Sequence, residues 1–426
     1  TGNFGSLVGG LVGDNVAGVI DGARFQGTIT GNDTADSIGG IAGRNVYARI
    51  TNSRADAWIT SLRSSNTVRD IGGLVGTNLY GTVSDSTSAG KISVGDRAHV
   101  GGLVGRTLGG VIDNSVSTVD VSAGKSSLVG GAVGLSDHGT IRGSSAHGIV
   151  SATNGSTVGG FMGLNRGGQV ERSQAYGEVN TKVAAAAGGF AGENIDGGVL
   201  EDVAANGRVS DIAGGVVGGL VGRNAGMIRR GKAAGDASAG DAGRAGGLVA
   251  VNDGTIEQST AGGAVQAGSA SRVGGLVGLN RGTISGSGAT GSVTAAHSSY
   301  AGGLVGENMG AVRDSKASGN VTALGGQFVG GFAGWNGHGA LIADSESSGT
   351  VTTAASFAGG FAGVNYGAIR SSQTSSMLNY QGALSAAMRG GFVAFNVGNI
   401  DSSKTTGAAA REAFAGINFG RIDGSR

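Results

Sequence analysis

Acid–base or hydrolytic chemistry in this 426-residue chain would fall to five histidines, His99, His138, His147, His297 and His338, and to carboxylates held near one another. A glycoside-cleaving site needs two carboxyl groups on one face, and a general base needs a partner that tunes it. The adjacent acidic candidates are Glu193 with Asp196 and Glu201 with Asp202, and all lie in or beside variable turn positions. Exposed turn carboxylates are usually solvated, so no catalytic residue is expected. Gly124-Lys125-Ser126 matches the last three residues of a phosphate-binding loop, but Val119 stands where its first Gly is required. Without Cys there is neither a disulfide framework nor a thiolate metal site, and the calcium nonapeptide is missing too. We expect no metal and no cofactor. Asn32-Asp33-Thr34, Asn154-Gly155-Ser156 and Asn320-Val321-Thr322 match the glycan acceptor pattern, at the rate chance gives in so Asn- and Ser-rich a chain.

The elements that carry these groups are set by a repeat. An in-phase Gly-Gly pair recurs at 9, 39, 72, 101, 130, 159, 188, 218, 246, 274, 302, 330, 359 and 390, and a worn copy at Ala413–Asn418 closes the series. A fixed period of this size marks a stacked repeat architecture. No segment is left over for a second domain or a cap, so 1–426 reads as a single solenoid domain. Chain length alone would allow two or three domains, but an uninterrupted period outranks it.

Within one copy, Gly274 to Asn280 is a first extended segment, Thr283-Ile284 a second, and Gly291-Ser292-Val293 a third, separated by turns. Three short strands in 28 to 30 residues describe one rung of an all-β parallel β-solenoid, or β-helix, with about 15 rungs. At about 4.8 Å per rung the sequence predicts a rod on the order of 70 Å long, of open handedness. Seven residues into each motif stand Asn15, Asn45, Asn78, Asn165, Asn194, Asn224, Asn252, Asn280, Asn308, Asn336, Asn365, Asn396 and Asn418, with Thr107 and Ser136 as replacements. Stacked amides hydrogen-bond along the stack, which predicts a buried asparagine ladder. A second column holds small hydroxyls, among them Ser53, Ser86, Ser115, Ser259 and Ser287. Where the third motif position is Phe the fourth is usually small, as in Phe361-Ala362, and where it is Leu the fourth is Val. Volume is thereby shared, as close packing demands. Alternation leaves open which of the two points inward; a bulge at the following Gly is one way to turn both in.

The pattern Gly-Gly-Leu-Val-Gly-x-Asn, then Gly-x-Ile-x-x-Ser, then Gly-x-Val resembles the short GLUG repeat. That resemblance implies a secreted or cell-surface bacterial protein, similar to filamentous-haemagglutinin-like adhesins, with a structural or adhesive part in attachment or biofilm. It implies no catalytic residue. Thirty basic against 29 acidic side chains argue against a nucleic-acid partner, and no apolar run is long enough to span a bilayer.

Two features point to partners. The sixth motif position is Asp14, Arg44, Thr77 and Arg106 early on, but Trp335, Val364, Phe395 and Ile417 later, with Tyr366, Val397 and Phe419 beside it. Outward apolar residues in successive rungs predict a contact stripe for a second copy or for a host or matrix glycan or protein. The alternative is a covering loop from the long rung before 390. The long rungs through Trp58–Arg63 and Met377–Tyr380 read as loop insertions. Both ends read as uncapped, so the expectation includes a head-to-tail filament as an alternative to an adhesin stalk.

Overall fold

A computed structural model describes residues 6–31, 35–61, 68–297, 299–323, 325, 328–354, 357–381 and 388–426. The chain divides into two compact units, residues 1–211 with 220–222 and residues 212–219 with 223–426. Both are parallel β-solenoids built from one rung.

The rung starting at Arg272 shows the plan. Arg272–Gly274 lies in a first sheet, Val277–Asn280 in a second and Thr283–Ser285 in a third, while Gly288–Ala289 and Val293–Ala295 both lie in a fourth. Each strand pairs in parallel with its equivalent one rung on, as in Val277 with Val305 and Asn280 with Asn308. The three extended segments are therefore present, and the first of them divides at Gly275-Leu276 between two sheets.

That division answers the question of the third and fourth positions. Leu276 and Val277 are both fully buried, as are Phe332 and Ala333. The amides of Leu276 and Val277 both donate to the Leu304 carbonyl, each at 2.9 Å, and those of Phe332 and Ala333 to the Phe361 carbonyl at 2.8 and 3.0 Å. Two successive amides thus share one acceptor at the bend between the sheets, rung after rung, and this corner, rather than a bulge at the following Gly, turns both side chains into the core. Glycine is needed at this corner because a Cβ on Gly275 would stand 2.0 Å from the Gly303 carbonyl oxygen.

After the corner the second strand runs back across the first. A Cβ on Gly306 would lie 2.7 Å from both the Gly278 carbonyl oxygen and the Val273 nitrogen, so the two backbones touch directly. Ile284, Val293 and Ala295 complete the interior. Phe rings stack along it, Phe332 on Phe361, Phe361 on Phe392 and Phe392 on Phe414, with centroids 4.7, 4.7 and 4.8 Å apart. The spacing is that of the strands themselves.

The described parts of the two long rungs are strands. Trp58 to Ser61 belongs to an eight-residue strand, Arg54–Ser61, and Met377–Tyr380 is a strand of the fourth sheet. Each is paired in register with a neighbouring rung, Ile59 with Ile92 and Leu378 with Val351, and pairing holds it extended. Leu62 and Arg63, and the segment 382–387 from which a covering loop was expected, lie outside the described residues.

Candidate contact surface

Polar groups at the corner after the second strand are satisfied by stacking. Asn252 Nδ2 donates to Asn280 Oδ1 at 2.8 Å, Asn280 to Asn308 at 2.8 Å and Asn308 to Asn336 at 2.9 Å. The same nitrogen also reaches its own turn, as Asn280 Nδ2 does to the Gly282 carbonyl at 3.2 Å. Asn336, Asn365, Asn396 and Asn418 continue the run, and Asn15, Asn45 and Asn78 form another, ending on Thr107 at 3.3 Å. Asn165 donates to Asn194. Asn224 donates to Asn252. Across the rung stands a hydroxyl ladder: Ser287 Oγ accepts the Ser259 amide at 3.1 Å and donates to the Ser285 carbonyl at 2.8 Å. These columns are scaffold, and they leave chemistry to the outer faces.

Several of the acidic and histidine candidates are paired, some between rungs and some within one. His99 Nδ1 lies 2.7 Å from Asp70 Oδ1, while Thr77 Oγ1 donates to Asp70 Oδ2 at 2.8 Å and meets Ser37 Oγ at 2.8 Å. The sequence hid this chain because its members come from three rungs. His138 Nδ1 lies 2.7 Å from Asp137 Oδ1. Asp196 pairs with Arg166 Nε at 3.7 Å in the turn that follows the strand Ala191–Ile195, and its suggested partner Glu193 sits half-buried within that strand. Glu201 ends the strand Val199–Glu201 and Asp202 follows it in the bend. The Lys125 amide donates to Asp96 Oδ1, which makes Gly124-Lys125-Ser126 an ordinary turn. Asn154 is exposed in a turn, Asn320 Oδ1 accepts the Thr350 amide, and Asn32-Asp33-Thr34 lies outside the described residues. Among the described residues no group of three or more His, Asp or Glu is placed to hold a metal ion.

The apolar stripe differs from its expected form. Val364 is buried, Trp335, Tyr366, Phe395 and Ile417 are half-buried, and only Val397 and Phe419 are exposed, Phe419 to 76%. The reason is a column the sequence reading passed over: Tyr300, Phe328 and Phe357, in the first sheet, each two residues before a Gly-Gly. Because the second strand folds back on the first, the two columns interleave on the outside. Trp335 meets Tyr300 edge-on at 5.2 Å and Phe328 at 5.8 Å, and Phe357 meets Phe395 at 5.5 Å. Tyr366 bridges Trp335 and Phe395, and Phe395 touches Phe419 at 5.8 Å. Aromatic residues at one fixed offset in three successive repeats were the available signal.

One rung before the aromatics the same column is cationic. Arg272 pairs with Glu307 and lies 5.7 Å from the Tyr300 ring centre. Arg244, directly opposite Arg272, has its pKa lowered, first by burial and then by Arg272, Arg223 and Arg281. Burial and Glu307 raise the pKa of the Tyr300 phenol. The outer strip is thus a partly dry surface of arginine passing into aromatic rings.

With the rung and its ladders in view, similarity to known proteins can be placed. The GLUG motif matches residues 34–60, 69–93, 96–122 and 297–322. The chain carries GLUG repeats. Each matched stretch covers most of one rung, and the rungs between them repeat the same strands and ladders. No curated protein and no solved structure shows significant similarity to the chain. Among the described residues no helix is long and apolar enough to cross a membrane.

Proposed function

We propose that this GLUG-repeat solenoid is a structural and adhesive section of a secreted bacterial surface protein, similar to filamentous-haemagglutinin-like adhesins, acting in attachment or biofilm without catalysing a reaction. The observation that carries the reading is the outer strip from Tyr300 to Phe419, which the interior does not need: core and ladders are complete without it. Its partner is a host or matrix glycan or protein. The test coats beads with the full chain and measures attachment to matrix proteins and glycans, beside fractionation of the producing cells. Attachment lost on replacing Trp335 and Phe395 with Ser, with the strand signal in circular dichroism kept, supports the reading. Absence of attachment by the unaltered chain, or retention of the chain inside cells, overturns it.

Phe419 and Val397, both exposed beside the strip, favour a second reading in which the strip meets another copy of the chain. Sedimentation velocity at several concentrations separates the two, since only self-association shifts with concentration.

A further inference from the structure

A column of residues caps the corner between the second and third sheets in the first unit: Ala17, Tyr47, Tyr80, Gly109, His138 and Gly167. The column is in register, because the amides of Tyr47, Tyr80, Gly109 and His138 donate in turn to the carbonyls of Leu79, Leu108, Asp137 and Arg166. Every member has left-handed backbone, with φ of 48° at Tyr47, 52° at Tyr80, 57° at Gly109 and 52° at His138. Glycine adopts this freely and a bulky side chain does so at a cost. Ala17, Gly109 and Gly167 show that the corner closes without a ring. Tyr47 and Tyr80 are nevertheless present, 68% and 53% exposed, stacked with centroids 5.2 Å apart and planes 10° apart. Left-handed non-glycine residues recur at corners throughout the chain, so the two exposed rings, rather than the backbone that carries them, are what the fold does not require.

Gly109 brings no ring to this stack, so the next ring after Tyr80 is that of His138, two rungs on. A Cβ on Gly109 would meet Tyr80 Cε1 at 2.5 Å, and a Cβ on Gly167 would meet His138 Nε2 at 2.8 Å, so both rings lean toward the rung that follows. The rungs that carry the two rings are two apart, about 10 Å. A ring seated midway lies about 5 Å from each neighbour, inside the range of ring contacts. A flat base stacked at about 3.5–4 Å on each side would leave slack, whereas a puckered ring fills the space.

The polar groups around the gap fit hydroxyls. Asp137 holds His138 Nδ1 and so leaves Nε2 of that exposed ring to the solvent side. Arg166 stands 3.9 Å from Asp137 Oδ2 and 3.7 Å from Asp196 Oδ2, at distances that leave N–H groups for a ligand. One arginine between two aspartates supplies no net positive charge, which disfavours a phosphate backbone.

We propose that the gap at Gly109, between Tyr80 and His138, is a binding slot for one pyranose ring of an uncharged oligosaccharide. The proposal rests on the adhesive reading for its biological setting, but the site lies in the other unit from the aromatic strip. The test is ligand-observed saturation-transfer NMR on the full chain with cellohexaose and chitohexaose, and adenosine as the flat-ring control. Transfer to at least one sugar, weakened about tenfold in Tyr80→Ala and in His138→Ala and restored in Tyr80→Trp, is the expected result. Absence of transfer to either sugar, unchanged binding in Tyr80→Ala with Tyr80→Trp folded alike, or stronger transfer to adenosine overturns the proposal. The bead assay keeps the two readings apart. If sugar transfer is absent while attachment persists, the slot fails and adhesion stands; if transfer occurs without attachment, adhesion fails and the slot stands.

Discussion

Asn165 Oδ1 is fully buried and accepts no hydrogen bond, because the residue stacked one rung before it is Ser136, whose own Oγ is also unpartnered. The serine is too short to carry the ladder across. Ser136→Asn places an amide donor in register with Asn165 Oδ1 and removes the unpartnered hydroxyl. Removing a buried unsatisfied acceptor should raise stability by about 1–2 kcal/mol, read as a higher urea midpoint with an unchanged slope. The complementary change, Asn280→Ala, removes the ladder partner of Asn252 Nδ2, which keeps only the Gly254 carbonyl, and of Asn308 Oδ1, which keeps only the Gly310 amide, and should lower the midpoint by a similar step.

The Phe361 and Ala362 pair tests whether volume is shared between the two inward positions. Phe361 stacks between Phe332 and Phe392, so Phe361→Ala should cost about 3–5 kcal/mol. Ala362→Val alone overpacks, at about 1–3 kcal/mol. Joined as Phe361→Leu with Ala362→Val, the pair copies Leu276-Val277 and should lose less than about 1.5 kcal/mol. A double mutant no better than the sum of its singles would refute shared volume.

Two glycines of neighbouring rungs should respond in opposite directions. Gly306→Ala drives a methyl group into two backbones at 2.7 Å and should cost more than about 2 kcal/mol. Gly288, in the fourth sheet, would meet only the Lys316 carbonyl oxygen at 3.5 Å, an ordinary contact. Gly288→Ala should therefore stabilise by about 0.4–1 kcal/mol through the unfolded chain. Thermal melts of the two variants give the sign directly.

The tyrosines should titrate unevenly. Burial, and then Glu412, raise the Tyr380 phenol well above the usual tyrosine range, and Tyr300 is raised by burial and Glu307. A folded-state pKa above the unfolded value gives stability that is complete below the unfolded pKa and is lost as pH rises past it. Of six tyrosines, these two should ionise last in an ultraviolet phenolate titration, the final step coinciding with alkaline unfolding. Tyr380→Phe should delete that step.

What the sequence made legible was whatever repeats with the rung: the period, the asparagine and serine columns, and the exchange of volume between Phe-Ala and Leu-Val. Each is a statement about one position in many copies, and stacking turns it into contact. What stayed hidden depends on how one rung bends in three dimensions. Tyr300 and Trp335 lie 35 residues apart and come from different sheets, and only the backbone contact at glycines such as Gly306 brings their columns together. For the same reason the expected outward stripe is half-buried, and the pairing of His99 with Asp70 left no local trace. Nor did periodicity reveal the bend between the first two sheets, since alternation carries no information where two successive residues both face in.

Identical ladders raise a problem of counting. If a rung slipped by one whole repeat, most asparagines would still find an asparagine and most buried strands a similar strand, so core and ladders say little about which rung comes next. The variable outer pairs do say it: Asp14 with Arg44, Arg229 with Glu257, and Lys316 with Glu346 each join one rung to its immediate neighbour. Individually such exposed pairs stabilise little. Shifted by a rung they become mismatches, and the surface charges then serve as page numbers that keep the coils in order while the chain folds.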